Sequence, residues 1–171
     1  YINNGGIFSE KGSIMTVNIG DNMRGIGNNS FYGCTSIQSV TLGAGLDTIG
    51  NYAFANCINM KTITLPSNTN VRIIGEHAFS NCQNLESFVN PVSVEKIGDY
   101  CFENCYNMKT VELASEGSIP NLKSLGNHLF VNCSKLECLE IPYNVSETLD
   151  ISLVEGCSGL QYISVKNGNT N

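Results

Sequence analysis

Nearly the same phrase occurs three times in this chain: IGNYAFANC at 49–57, IGEHAFSNC at 74–82 and IGDYCFENC at 97–105. Such self-similarity constrains the fold more than composition does. A unit of about 23 residues cannot bury an apolar face alone, so a neighbour must be laid on top of it. Taking the Ile-Gly position as the start, units begin at Ile26, Ile49, Ile74, Ile97, Leu125 and Leu149, with spacings of 23, 25, 23, 28 and 24. Five positions on stand Phe31, Phe54, Phe79, Phe102, Phe130 and finally Val154. Eight positions on stand Cys34, Cys57, Cys82, Cys105, Cys133 and Cys157, without exception. Apolar residues follow three, six and eight positions beyond each Cys, as in Met60, Ile63 and Leu65 or Met108, Val111 and Leu113. Asn90, just before Pro91, interrupts the last of these columns in the third unit.

The alternation in TITL at 62–65 and TVEL at 110–113 is the period of a strand, with Ile63 and Leu65 inward and Thr62 and Thr64 outward. One such strand per unit, always running the same way, makes a parallel sheet with rungs about 4.8 Å apart. Turn residues such as Pro66 and Pro142 follow, then a short extended segment that ends at the Ile-Gly. The Gly is expected to supply backbone freedom for a corner. NYAFAN, 51–56, has the length of roughly one helical turn, with Ala53 and Phe54 inward.

From Ile26 to Val165 the chain fits IGxxAFxNCxxLxxIxLP, and in this it resembles the BspA-like leucine-rich repeats of surface proteins from host-associated bacteria and protists. The resemblance implies a right-handed leucine-rich-repeat solenoid of six units over 26–171. It also implies display at the cell surface or secretion, and work done by binding an extracellular protein or glycan. Asn90 and the non-consensus sixth unit, LDISLVEGC, depart from the pattern.

Residues 1–25 fit the repeat poorly. Phe8, Lys11, Ile14, Val17 and Ile19 would imitate a unit with Lys in the Cys column, which would bury a charge in an apolar ladder. The expectation is therefore an N-terminal hairpin: GIFS, a turn at Glu10-Lys11-Gly12, then SIMTV returning. It resembles the hairpin segment that punctuates BspA-like arrays. ISVKNGNTN at the other end resembles the stretch before such a hairpin. The chain thus reads as one structural domain, a block of a longer array.

The net charge of −6, with no cluster of Lys and Arg, argues against a nucleic-acid partner. No run of 18 apolar residues provides for membrane insertion. The acidic excess is uneven: 1–96 carries six acids and five bases, 97–171 nine acids and four bases. Six of the eight Cys occupy one column, where a small buried thiol suits a packed interior. Free thiols are expected, because parallel Cβ vectors on adjacent rungs do not aim two sulfurs at each other. Zinc is not expected, because no Cys-x-x-Cys knuckle occurs. Cys101 takes the Ala slot of its unit, and Cys138 takes an outward strand slot that makes it the most accessible thiol.

Two faces are candidates for ligand contact. On the outward side of the sheet, Thr110, Glu112, Glu140 and Tyr162 gather beside the long segment 114–124, which accounts for the spacing of 28 and is expected to bulge from the edge. Glu112 and Glu140 on adjacent rungs lie about 5 Å apart, which is also the separation of a retaining glycosidase pair. Both would point into open solvent, and no Ser-His-Asp set, phosphate loop or HExxH supports chemistry elsewhere. The alternative face is the column Tyr52, His77, Tyr100 and His128, an aromatic strip for sugars or simply the packing of a corner. Its histidines, two rungs or roughly 10 Å apart, cannot share a metal. No metal or cofactor is expected. The leading expectation is a binding module with a basic partner and salt-sensitive association. A non-binding structural spacer and a glycosidase using Glu112 and Glu140 stand as alternatives.

Overall fold

Alternating strands and turns at this period stack into ladders, and two of these are built of strands. The computed structural model describes residues 7, 8, 10–113 and 121–166, with backbone only for 146–148. In chain order the strands are β1 (Thr16–Asn18), β2 (Gly25–Ile26), β3 (Ser39–Thr41), β4 (Thr48–Ile49), β5 (Thr62–Thr64), β6 (Ile73–Ile74), β7 (Ser87–Val89), β8 (Lys96–Ile97), β9 (Thr110–Glu112), β10 (Ser124–Leu125), β11 (Cys138–Pro142) and β12 (Tyr162–Lys166). Every pairing is parallel. The two-residue segments ending at Ile-Gly build a second sheet of their own, five strands in the unbroken order β10-β8-β6-β4-β2.

The TITL-type strands form the first column, and it is divided: β1-β3-β5 on one side, β12-β11-β9-β7 on the other. Between the ladders run the buried columns. Phe31, Phe54, Phe79, Phe102 and Phe130 stack nearly parallel, with ring centroids 5.0, 5.6, 5.5 and 5.6 Å apart. That spacing is the strand pitch slightly stretched, so one period sets both hydrogen bonding and ring packing. Each such ring contributes roughly 1.5–3 kcal/mol by leaving water.

Three expectations are corrected here. The N-terminal segment is no hairpin among its described residues. β1 instead pairs in parallel with β3, Thr16 to Ser39 and Val17 to Val40, and Phe8 stacks on Phe31 at 5.2 Å. Phe8, Lys11, Ile14 and Val17 therefore occupy the repeat columns. Lys11 escapes the burial cost because its side chain is exposed.

NYAFAN, likewise, is not a helical turn. Tyr52 and Asn56 have φ of 55° and 61°, and a left-handed residue in every fourth place breaks an α-helix. The N–H groups of Tyr52, Phe54 and Asn56 then donate outward to Glu76, Ala78 and Ser80 of the next unit at 2.8–2.9 Å. The turn is a third ladder.

The Gly of Ile-Gly does not carry the left-handed residue; the aromatic two places later does. What requires Gly is proximity. A Cβ on Gly75 would meet the Asn51 backbone nitrogen at 2.6 Å, and one on Gly98 the Glu76 nitrogen at 2.5 Å. In the sixth unit, which has Asp150 in this slot, the Ile-Gly strand is missing. Two 3-10 turns, Tyr143–Thr148 and Ile151–Val154, replace it.

Candidate binding faces

Strand register decides which outward residues meet. Cys138 faces Thr110 on one side and Tyr162 on the other, while Glu140 faces Glu112 and Ser164. Thr110, Glu112 and Tyr162 are exposed, and Glu140 is half-buried. The four expected residues thus share one patch of three adjacent strands. Sequence reasoning missed Lys166, whose Nζ lies 3.3 Å from Glu140. Two places past Ser164 on the same alternation, it was visible only once β12 was known to extend that far. The Cys138 thiol and the surrounding carboxylates raise the Tyr162 phenol above its ordinary range, the thiol most. The expected bulge at 114–124 lies largely outside the described residues. Its far end is tethered, with Leu122 buried and Lys123 Nζ 2.6 Å from Glu95.

Tyr52, His77, Tyr100 and His128 form one stack, with centroids 4.6, 5.0 and 4.8 Å apart. All four hold φ near +55°, between 52° and 55°, so each turn must aim its ring along the column. Both faces of His77 and of Tyr100 are covered by their neighbours. A sugar, which stacks on an open ring face, finds only edges there. Glu103 lies 3.5 Å from His77 and Glu155 3.8 Å from His128. Among the described residues no group of three His, Cys, Asp or Glu is disposed to hold a metal ion.

The Cys column does more than fill space. Each thiol lies within hydrogen-bond reach of the Phe carbonyl in the preceding unit: Cys57 to Phe31 and Cys82 to Phe54 at 3.2 Å, Cys105 to Phe79 at 3.3 Å, Cys133 to Phe102 at 3.2 Å. Cys34 makes the same contact with Phe8 at 2.7 Å. All eight cysteines are free. Burial pushes the thiols of Cys82 and Cys101 well up, so neither forms a thiolate readily. Outside the core, Asn side chains form ladders of their own. Asn104 donates to Asn81 and Asn132 to Asn104, both at 2.9 Å, and Asn107 donates to Asn84 at 2.7 Å.

Two parallel ladders around stacked Phe and aliphatic columns define a leucine-rich-repeat solenoid. The chain belongs to the BspA type leucine rich repeat family, whose model matches residues 2–121 and 49–171 in six copies. Among solved structures, the T. pallidum leucine rich repeat protein (TpLRR) is similar: 25% identity, 90% of this chain and 70% of that one covered, TM-score 0.72. A leucine rich cell surface protein from Faecalibacterium prausnitzii A2-165 is 20% identical over 95% of this chain and 62% of its own, at a TM-score of 0.40. The pneumococcal vaccine antigen PcpA is 19% identical over 91% and 53%, at 0.47. This chain spans less than two thirds of either of these last two. No curated protein sequence matches it significantly. Family and fold neighbour alike are repeat proteins rather than enzymes. Among the described residues no helix is long and apolar enough to cross a membrane.

Proposed function

We propose that this repeat scaffold is a recognition module displayed outside the cell, binding an extracellular protein or glycan through the outward face of β9, β11 and β12. Family membership supports the general reading. The observation that carries the particular one is the patch itself, where Thr110, Glu112, Glu140 and Tyr162 stand in register on an open sheet. Glu112 and Glu140 sit side by side, with Lys166 against Glu140 at the edge. Like charges in that position are unfavourable in an unliganded sheet and become favourable against a basic partner. Catalysis by the same pair is a weaker reading, because a retaining glycosidase needs a cleft around the sugar and this face is open.

The test is a screen of the purified chain against matrix proteins, basic peptides and glycans, repeated with a Glu112→Gln, Glu140→Gln double variant at two salt concentrations. Saturable binding that weakens in the variant and in salt is the expected result. Binding with unchanged affinity and salt slope would move the site elsewhere, and no saturable binding to any probe would favour a spacer. Turnover of a glycan, lost in either single Gln variant, would favour the glycosidase.

A further inference from the structure

The first strand column is divided between β5 and β7, and several sequence features meet there. The spacing from Ile49 to Ile74 is 25 rather than 23, which lengthens the connection after β5. Phe88 fills a strand slot that is Val40, Ile63 and Val111 in neighbouring units, and its ring leans on Phe102 of the next unit at 4.7 Å. Asn90 takes the place of Leu42, Leu65 and Leu113. Backbone bonds hold the two units together at each end of the gap, Glu86 to Lys61 at 3.2 Å and Glu95 to Arg72 at 2.7 Å. Between them the strands part. Ile63 and Leu65 become half-exposed, while Leu42 and Leu113 are 1% and 0% exposed.

The opening is a cleft of about 480 Å³, within the range of small-ligand pockets. Its strand edges are unpaired. In intact rungs the residue of the last apolar column donates to the next strand: Ile19 to Thr41 and Leu42 to Thr64 at 2.9 Å, Asn90 to Glu112 at 2.8 Å, Leu113 to Glu140 at 3.0 Å. Among the described residues Leu65 has no such bond, and the Val89 carbonyl that should receive it accepts none. Asn90, 1% exposed, lines the cleft with both Oδ1 and Nδ2 unpartnered. A buried carboxamide without hydrogen bonds is rare in folded proteins and calls for a partner.

We propose that this wedge binds a short, uncharged, extended peptide segment as a guest strand. The chemistry selects it. Free strand edges recognise main-chain amides, and the Asn90 carboxamide offers the same donor and acceptor pair that a peptide group does. Ile63, Leu65, Pro66, Val89 and Pro91 supply apolar walls. The lining holds no charged side chain to recognise an ionic ligand and no aromatic ring on which a sugar would stack. The strand that pairs with the other edge of β5 is Ser-Val-Thr, of alternating small polar and apolar residues. The cleft lies one strand over from Glu112, which pairs with Val89, but neither Glu112 nor Glu140 lines it, so this proposal does not rest on the acidic face.

The probe is the chain's own 39–42 sequence as a capped peptide, acetyl-Ser-Val-Thr-Leu-amide, followed by amide NMR. The expected result is saturable shifts at the Leu65 backbone amide and the Asn90 side-chain amide, with Leu65 hydrogen exchange slowed about tenfold at saturation. Asn90→Leu restores the apolar column, so it should raise the melting temperature and abolish these shifts. Val89→Lys, at an exposed rim position, should weaken binding in a folded protein. The proposal is overturned by any of three results: no saturable shift at these two amides, equal shifts in Asn90→Leu, or shifts produced by N-acetylglucosamine and not by the peptide.

Discussion

The Cys82 sulfur lies 3.2 Å from the carbonyl oxygen of Phe54 in the preceding unit, in a place where neither residue is exposed. That carbonyl already accepts the Cys57 N–H of its own unit at 3.2 Å. The thiol is therefore a second donor to it, and it ties two rungs together from inside the core. Cys suits the position because it is small, tolerates burial and still donates weakly.

Replacement of Cys82 separates these roles. Cys82→Ala loses both the donor and the volume of the sulfur, and is expected to cost about 1–3 kcal/mol. Cys82→Ser keeps a donor within reach of Phe54 and should cost less than the Ala variant, about 1 kcal/mol. Chemical denaturation of the two variants measures the order. A Ser variant less stable than the Ala variant would mean that the column selects apolar volume alone.

Thiol accessibility follows the rungs. Cys138 is half-buried in its outward strand slot, and Cys157 is half-buried in the sixth unit. Contact with the Cys133 thiol holds Cys157 below its ordinary range, which favours reaction further. Alkylation of the native protein near neutral pH should mark these two, and denaturation should expose all eight. A mass spectrum with adducts on Cys57, Cys82 or Cys105 before unfolding would contradict the packing.

Proximity across rungs makes Gly75 sensitive. An Ala Cβ there meets Asn51 and Gly50 backbone atoms at 2.6 Å, and backbone cannot rotate aside as a side chain can. Gly75→Ala is expected to lose about 2–4 kcal/mol. At Gly12 no atom of the described residues lies within 4 Å of the place a methyl group would take, and Ala there should be tolerated within about 0.5 kcal/mol. Equal melting temperatures for the two variants would refute the argument.

Glu95 supplies a pH test. Its hydrogen bond from Lys123, at 2.6 Å, holds the carboxyl below the usual range, and Arg72 at 3.6 Å adds to this. A carboxylate with a depressed folded pKa stabilises at pH values above its unfolded pKa, near 4.3, and loses that contribution as pH falls through the folded value. Glu95→Gln should therefore be less stable than the parent at neutral pH by a constant margin. The margin should shrink below about pH 4.3. A difference that persists undiminished in strong acid would assign the effect to packing.

Period, columns and parallel strands were legible in the sequence because each is a local pattern repeated: alternation selects strands, and recurrence of Ile-Gly, Phe and Cys demands stacking. Three-dimensional register was legible with them, so the sequence alone brought Thr110, Glu112, Glu140 and Tyr162 onto one face. Lys11 shows where that reasoning stops. Its charge argues against a repeat column only if another rung covers it, and coverage is a property of position in the stack. The same holds for Tyr52, whose left-handed backbone is stabilised by bonds to the next unit, and for Gly75, whose missing Cβ matters only against Asn51. The division between β5 and β7 is the clearest case. Asn90 announced an irregularity, but whether strands stay paired depends on how Phe88, Leu65 and the lengthened connection pack together. Local alternation is written along the chain, whereas hydrogen bonds between rungs join residues more than twenty apart, and only the packed stack decides which of them form.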